Sequence, residues 1–272
     1  PSLDGTELES AKYSNVTEMI SMLMTEPPFD DLEVRRALHV ATDIRAFQRL
    51  NFSEDLPRHT YPIHYQHPAY IPEEELPEDT QELYDYDPEQ AKEMLAEAGY
   101  PDGLTIDLYA SSVPIQQDNA ALMKDIWAKA GIEANIRIHD PVAHNDFRYN
   151  RNYHGVILSG NEIANPINSL YRFAHTEGYI NFSGYSNPEY DAIMAKLSTE
   201  LDPEKQLPLM KEAQLMLLRD VVHIGYYPTV SGHFWWPWLK NYYGEVTITD
   251  GSIHSVAPYI WVDENLKKEM GF

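Results

Sequence analysis

The 272-residue chain has no cysteine, so disulfide bonds and thiolate catalysis are both excluded. It also lacks any apolar run near the roughly 18 residues that a membrane-spanning helix needs. Basic residues are scarce, because 20 Lys and Arg stand against 43 Asp and Glu and leave a formal net charge of −23. A surface of this sign repels phosphate, so we expect no nucleic-acid partner.

Sequence motifs of the common enzyme classes are missing as well. The chain contains no GxSxG, HExxH, P-loop or dinucleotide-binding glycine pattern. His59, His64 and His67 are close in sequence, but their spacing fits no local metal-ligand pattern. We therefore expect a binding protein rather than an enzyme, with no cofactor and no metal site. A hydrolase built on two carboxylates is a less favoured alternative, because an acidic chain brings carboxylates together by chance.

The clearest local pattern lies in residues 86–109. Asp87 followed by Pro88 predicts the start of a helix, since Asp accepts hydrogen bonds from the free amides and Pro has no amide hydrogen to lose. Gly99 predicts its end. Apolar residues then alternate with polar ones from Leu104 to Leu108, which is typical of a half-buried strand.

The next segment repeats the pattern and predicts a βαβ unit. Residues 115–130 carry a helical apolar stripe, and residues 132–138 alternate again as a strand. Two such strands joined through a helix are expected to be parallel, with a right-handed crossover. A short helix is predicted over 142–151, and 156–158 form a buried strand that feeds a loop over 159–165.

The remaining segments give helix starts and one long irregular stretch. Asp31 and Asp43 are predicted to cap two helices, and for Arg35 and Asp43 a structural role is favoured. Residues 54–85 are rich in proline and acidic residues without periodicity, which predicts a wandering surface loop.

Two more helices are expected in the second half of the chain. They start at Asn187-Pro188 and at Asp202-Pro203, and Pro208 is expected to kink the latter or to reset its start. Residues 223–227 are predicted to form a strand.

Blocks in consistent order, from about Pro28 to Trp261, resemble one protein family. This is the oligopeptide-, dipeptide- and nickel-binding type of extracellular solute-binding protein, family 5, which serves ABC importers. The blocks are PPFDDLEVRRALHVATDIRAF, YDPEQAKEMLAEAGYPDG, AGIEANI, GYSNPEYDAIMAKLSTELDPEKQ, PWLKNYYG and YIWVD.

The resemblance implies an α/β fold, a periplasmic-binding-protein-like lobe (class II, cluster C type) with a mixed sheet flanked by helices. Full-length family members are longer and close two lobes over a ligand. We therefore expect residues 1–27 to lead from a missing first lobe, 28–245 to form the second ligand-binding lobe, and 246–272 to return toward the first. The opening residues are neither a signal peptide nor a translation start, which also predicts a fragment of a longer protein.

The implied function is that of a receptor for an ABC importer, periplasmic or at the cell surface, and secreted or lipid-anchored when full-length. Its expected partners are a small-molecule solute (peptide, oligosaccharide or metal chelate) and the transmembrane subunits of the permease. An alternative is a solute-sensing module of a signalling or regulatory protein.

The resemblance also indicates candidate ligand-binding residues. In peptide-binding members, the loop after a buried strand carries an aromatic residue and then an acid that pairs with the α-amino group of the ligand. Counting back from Pro166, Glu162 takes the place of the acid, while Ser159 or Gly160 stands where tryptophan is usual. We predict that Glu162, Ser159 and Asn161 contact the ligand.

Trp235 is a further candidate. It belongs to an aromatic cluster with Phe234, Trp236 and Trp238. Such rings can stack on a ligand, but they pack in a core more often. A structural role is therefore favoured for Trp235, with ligand contact as the alternative.

Overall fold

The computed structural model describes residues 9–13, 16–162, 165–243 and 257–272. Ile163 and Ala164 of the predicted loop, and residues 244–256 of the predicted C-terminal segment, lie outside these ranges. Backbone contacts divide the chain into two compact units, 1–14 with 230–272 and 15–229. Within the described ranges, no helix combines the length and apolar character needed to cross a membrane. The domain boundaries given above stay a prediction.

Strands and helices alternate from α4 to α7, and consecutive helices or strands lie on either side of that stretch. The strands are β1 (Glu9–Tyr13), β2 (Val16–Met22), β3 (Leu104–Ser111), β4 (Ile132–His139), β5 (Val156–Glu162), β6 (His223–Pro228), β7 (Ser231–Trp235), β8 (Leu239–Lys240) and β9 (Trp261–Val262). The helices are α1 (Leu32–Val40), α2 (Ile44–Leu50), α3 (Glu78–Gln81), α4 (Pro88–Glu97), α5 (Pro114–Ala128), α6 (Pro141–Asn150), α7 (Pro166–Ala174), α8 (Pro188–Thr199), α9 (Pro203–Arg219) and α10 (Glu264–Glu269).

A five-stranded sheet in the order β4-β3-β5-β2-β6 organises the larger unit. The strands β3 and β4 are parallel, from Leu104 opposite Ile132 to Ser111 opposite His139, which confirms the parallel pair of the predicted βαβ unit. The strand β2 is antiparallel to both of its neighbours, β5 and β6. The sheet is therefore mixed. Its antiparallel strand β2 falls in the predicted approach segment, 1–27.

The two faces of the sheet carry separate cores. Ile20 and Met22 of β2 pack in one cluster with residues of α1, α4 and α5, among them the fully buried Trp127. Met19 belongs to a second cluster, which is built with α7, α8 and α9. Because successive strand residues point to opposite faces, these clusters lie on either side of β2.

Aspartate and asparagine caps set the helix starts as predicted. The Asp87 carboxylate accepts hydrogen bonds from the amides of Glu89 and Gln90, both at 3.0 Å, before Pro88 opens α4. The helix α9 runs unbroken from Pro203 to Arg219 with Pro208 inside it. The expectation that Pro208 would reset the start of this helix is therefore wrong.

Residues 54–85 do not form a wandering surface loop, and that prediction is wrong. The segment contains two 3₁₀ turns, Glu73–Glu75 and Glu82–Tyr84, on either side of α3. Arg58 ties it together by pairing with the Glu73 carboxylate and donating to the carbonyl of Tyr84. Its apolar side chains enter the second core cluster, notably Tyr61, Ile63, Ala69, Ile71, Leu76 and Tyr84.

The turn before β3 depends on glycine. Gly103 has φ +91°, where only glycine is unstrained, and a Cβ there would press against the carbonyl oxygen of Gly131. The amide of Leu104 donates to the same carbonyl at 3.1 Å. The two glycines thus allow the backbones that lead into β3 and β4 to touch.

The smaller unit holds short antiparallel pairs and an aromatic group. The strand β1 pairs with β7, and β8 pairs with β9. The rings of Trp236 and Trp238 stack at 4.6 Å with an interplanar angle of 7°, and Phe272 lies against both. This contact anchors the last residue of the chain within this unit.

Candidate functional site

A ligand-binding site is expected at the carboxyl edge of the five-stranded sheet. The strands β3, β4, β5 and β6 run in one direction and end at this edge, whereas the antiparallel β2 begins there. Ligands of α/β sheets bind beyond such carboxyl ends. Pairing at this edge places Val16 opposite Glu162, and Glu18 opposite both Gly160 and Tyr227.

Three of the predicted ligand-binding residues lie in a strand and not in a loop. Ser159, Asn161 and Glu162 are the last part of β5, which continues four residues beyond the predicted end at Leu158 because β2 pairs with it as far as Glu162. The prediction of a loop from 159 is therefore wrong for these residues. Only the backbone is described for Asn161 and Glu162, and their ligand-binding roles stay predictions.

The Ser159 side chain is buried and already engaged. Its hydroxyl lies 2.8 Å from the hydroxyl of Ser21, across the sheet on β2. It also lies 3.4 Å from the carbonyl oxygen of Met19. Its polar group is thus used within the sheet, and its predicted contact with a ligand is untested.

Trp235 belongs to the other compact unit. It lies in β7, is only 7% exposed, and meets the ring of Tyr242 edge to face at 4.9 Å. This is the packed arrangement that the structural interpretation favoured. The alternative, contact with a ligand, stays a prediction.

The half-buried acid Glu18 is the feature of this edge that the sequence analysis missed. One of its carboxylate oxygens, Oε2, is fully buried and has no hydrogen-bond partner among the residues described. Burial raises the pKa of Glu18 to about 7, and the positive charge of Arg148 partly opposes this shift. The available signal was the one charged residue of β2, whose other residues are Val, Thr, Met, Ile and Ser.

Two tyrosines of β6 surround this acid. The register between β2 and β6 shifts between Glu18 and Met19, so that Tyr227 pairs with Glu18 and Tyr226 is an extra residue of β6. The hydroxyl of Tyr226 is buried and lies near the Asn119 side chain. Burial and the nearby charge of Glu18 raise the pKa of both phenols, which therefore stay neutral.

A chain of amides holds the second phenol in place. The Asn51 amide donates to the Asn119 carbonyl oxygen at 3.1 Å, and the Asn119 amide donates to the Tyr227 hydroxyl at 3.2 Å. Since Tyr227 accepts in this bond, its own proton can be donated elsewhere.

Gly160 lies close against the acid. A Cβ at this position would lie 3.2 Å from Glu18 Oε1 and 3.4 Å from a methyl group of Val16. Any side chain there would therefore crowd the carboxylate.

The histidines that could have suggested a metal site do not converge. His59 is fully buried, with Nδ1 2.8 Å from the Tyr84 hydroxyl and its ring stacked on Tyr70. In the described part of the chain, no three acidic or histidine side chains are placed to hold a metal ion.

Comparison with known sequences gives the family. Residues 3–181 match the model of the bacterial extracellular solute-binding proteins, family 5 (middle). The chain belongs to this family.

Individual members share moderate identity with the chain. Heme-binding protein A of Haemophilus influenzae is 29% identical over 204 residues, which are 70% of this chain and 35% of that protein. Di/tripeptide-binding protein 1 of Pseudomonas aeruginosa is 30% identical over 221 residues, 74% of this chain and 38% of that protein. The chain thus spans less than half the length of these relatives.

The fold is also found in solved structures. The oligopeptide-binding protein AppA of Bacillus subtilis, in complex with a nonapeptide, superposes with a TM-score of 0.77 at 17% identity. The match covers 95% of this chain and 53% of that protein. This confirms the predicted fold, a periplasmic-binding-protein-like α/β lobe with a mixed sheet flanked by helices.

Proposed function

We propose that this family member is part of a solute receptor of an ABC importer. It would capture a peptide or another small solute in the periplasm or at the cell surface and deliver it to the transmembrane permease subunits. Membership in the solute-binding family carries this proposal. Peptide is the favoured class, because relatives are named for di- and tripeptides and AppA holds a nonapeptide.

The chemistry of the sheet edge supports binding of a polar solute. Glu18 of β2 pairs with Tyr227 of β6, and its charge acts on the phenols of both Tyr226 and Tyr227. A peptide offers both hydrogen-bond donors and acceptors, and sites of this kind fix orientation with a few such polar groups in an otherwise apolar wall.

The proposal includes a second wall for the site. A tightly held small molecule has roughly 70–90% of its surface buried, which one lobe alone does not supply. Since the chain spans 35–38% of the two relatives, we propose that the remaining length of a complete receptor supplies the opposite wall.

Mass spectrometry of solutes retained through native purification of the full-length receptor would test this function. We expect peptides to be recovered and to bind again in calorimetry without being cleaved. The isolated chain should bind them far more weakly. If half of the roughly 8 kcal/mol of a micromolar complex were lost, only millimolar affinity would remain.

Two results would contradict the proposal. Turnover of the bound solute would favour the hydrolase alternative. Equal dissociation constants for the isolated chain and the full-length receptor would mean that the second wall is not needed.

A further inference from the structure

The outer edge of β4 has no pairing strand in the described part of the chain. This strand lies at one end of the five-stranded sheet, next to β3. On the β3 side, the amides of Leu104 and Ser112 donate to the carbonyl oxygens of Gly131 and His139, at 3.1 and 2.7 Å. In a parallel ladder, alternate residues point their backbone groups to the same neighbour. The odd-numbered residues of β4 therefore face β3, and the others point their amides and carbonyls to the open edge: Ile132, Ala134, Ile136 and Ile138.

A surface pocket lies beside this open edge. It has a volume of about 270 Å³. Its lining is largely apolar and comes from α5, from the start of β4 and from the turn between them: Lys124, Ala128, Gly131, Ile132, Glu133 and Ala134. At the other end of the strand, the side chain of Ile138 is 42% exposed. Ile132, Ala134 and Ile138 are an even number of residues apart, so the pocket and the exposed side chain share the α5 face of the sheet.

A second copy of β4 matches this edge when the two strands run antiparallel, with a two-fold axis at Asn135. Ile132 of each copy then lies opposite Ile138 of the other, and Ala134 lies opposite Ile136. These are the positions that exchange two backbone hydrogen bonds, so every outward amide and carbonyl of the four residues is paired. Opposite residues also lie on the same face, so the exposed Ile138 of one copy meets the pocket beside Ile132 of the other.

The charges on the strand favour the same register. Glu133 of each copy lies opposite Arg137 of the other, at the closely spaced positions without backbone hydrogen bonds, where side chains approach most closely. A shift of the register by two residues would place Glu133 opposite Asn135 or His139 and lose both ion pairs. Arg137 already donates to Asp107 of β3 at 3.1 Å, and its guanidinium has further N–H groups for a second carboxylate.

We propose that two copies of this chain pair through the outer edges of β4 and join their sheets into one. Charged side chains on an edge strand normally prevent pairing, and the net charge of −23 keeps copies apart elsewhere. Here a copy of the same strand neutralises both charges and fills the pocket. The proposal concerns assembly and does not depend on the solute. Because the two β4 strands are antiparallel, the candidate ligand-binding edges would lie at opposite ends of the dimer.

Sedimentation equilibrium of the 272-residue chain and of the full-length receptor tests this dimer. We expect both to dimerise. Glu133→Arg would turn both interchain ion pairs into repulsive contacts and should raise the dimer dissociation constant by about tenfold or more. Adding Arg137→Glu restores opposite charges, so the double variant should recover dimerisation. Glu93→Arg on the exposed side of α4 changes the net charge equally and should leave the dimer intact.

Three outcomes would overturn the proposal. The first is a chain that stays monomeric at about 100 μM, where even an interface of micromolar affinity is occupied. The second is a dimer that Glu133→Arg weakens no more than Glu93→Arg does, since the contact would then lie elsewhere. The third is a dimer of the 272-residue chain that the full-length receptor does not form, since another part of the receptor would then cover β4.

A cross-link on β4 tests the register without reversing a charge. The chain has no cysteine, so a single introduced one can form only an intermolecular disulfide. At Asn135, on the two-fold axis, the Cα atoms of the two copies would lie about 4.5 Å apart, whereas at Glu133 they would lie more than about 13 Å apart, beyond the disulfide range. We expect mild oxidation to cross-link Asn135→Cys and not Glu133→Cys. Equal or reversed cross-linking of the two variants, or none at all, would overturn the register and the dimer with it.

Discussion

The βαβ unit and the strand β2 lie in the same sheet but are assembled in opposite ways. The strands β3 and β4 are joined through α5 alone and pair along their full length. The strand β2 pairs with β5 and β6, which lie more than a hundred residues further along the chain. Neighbouring segments of the chain thus form the β3-β4 side of the sheet. The side that contains β2 forms only when distant segments come together.

Removing β2 should have the largest effect. A chain of residues 28–245, the predicted lobe, lacks the strand that joins β5 to β6. We expect it to show no cooperative thermal transition, whereas residues 15–229, the whole compact unit, should melt cooperatively. A cooperative melt of 28–245 would show that the βαβ side suffices and that the predicted boundary at residue 28 is sound.

A substitution on the βαβ side should lower the free energy of unfolding less than removal of β2 does, but still strongly. Trp127 of α5 is fully buried, and its indole nitrogen donates to the Thr42 hydroxyl at 3.0 Å. We expect Trp127→Ala to lower the free energy of unfolding by about 3–5 kcal/mol, through the cavity it leaves. Ile138→Ala on β4, where the side chain is 42% exposed, is the control in urea unfolding. Equal losses for the two variants would contradict this account.

Acid should weaken the side of the sheet that carries the second cluster. Burial lowers the pKa of His223, the first residue of β6, to about 4 and that of His59 to about 3. Both are neutral when folded, so the unfolded chain takes up more protons once the pH falls below about 6.5. Stability is therefore expected to be fully present above that pH and to decline toward about 4.

The size of this acid effect can be measured on one histidine. At 1.36 kcal/mol per pKa unit, His223 would contribute up to about 3 kcal/mol to the loss. We expect His223→Phe to flatten the decline of the free energy of unfolding between pH 6.5 and 4. An unchanged slope would mean that other groups cause the acid sensitivity.

The smallest effect should be on ligand affinity at the end of β5. If Glu162 receives an amine of the ligand, Glu162→Gln in the full-length receptor should weaken binding by about 1.5–3 kcal/mol. Unfolding should barely change. Calorimetry with amine-bearing peptides is the measurement, and unchanged affinity for all of them would remove Glu162 from the site.

The same contrast explains what the sequence could predict. Asp87-Pro88, Asn187-Pro188 and Asp202-Pro203 each begin a helix through contacts within a few residues, so the pattern is visible locally. Asn165-Pro166 carries the same signal before α7, which the sequence analysis passed over. Helix starts and the βαβ unit were therefore predictable.

The errors lie where distant contacts decide the structure. The end of β5 is set by pairing with β2, and residues 54–85 are ordered by Arg58 and by burial against α7–α9. Glu18 pairs with Tyr227, some two hundred residues away. None of these long-range contacts produces a periodic pattern in the sequence of its own segment. The candidate site was therefore less predictable than the fold.

The order of synthesis delays the pairing of β2. Residues 16–22 leave the ribosome before either of their partners, and β6 at 223–228 is the last strand of the sheet to be made. At about 5–20 residues per second, the nascent β2 waits roughly 7–28 seconds for β5 and roughly 10–40 seconds for β6. During that time its apolar residues Met19, Ile20 and Met22 are open to other chains. This short strand is thus the part of the sheet most exposed to wrong pairing until the last strand is made.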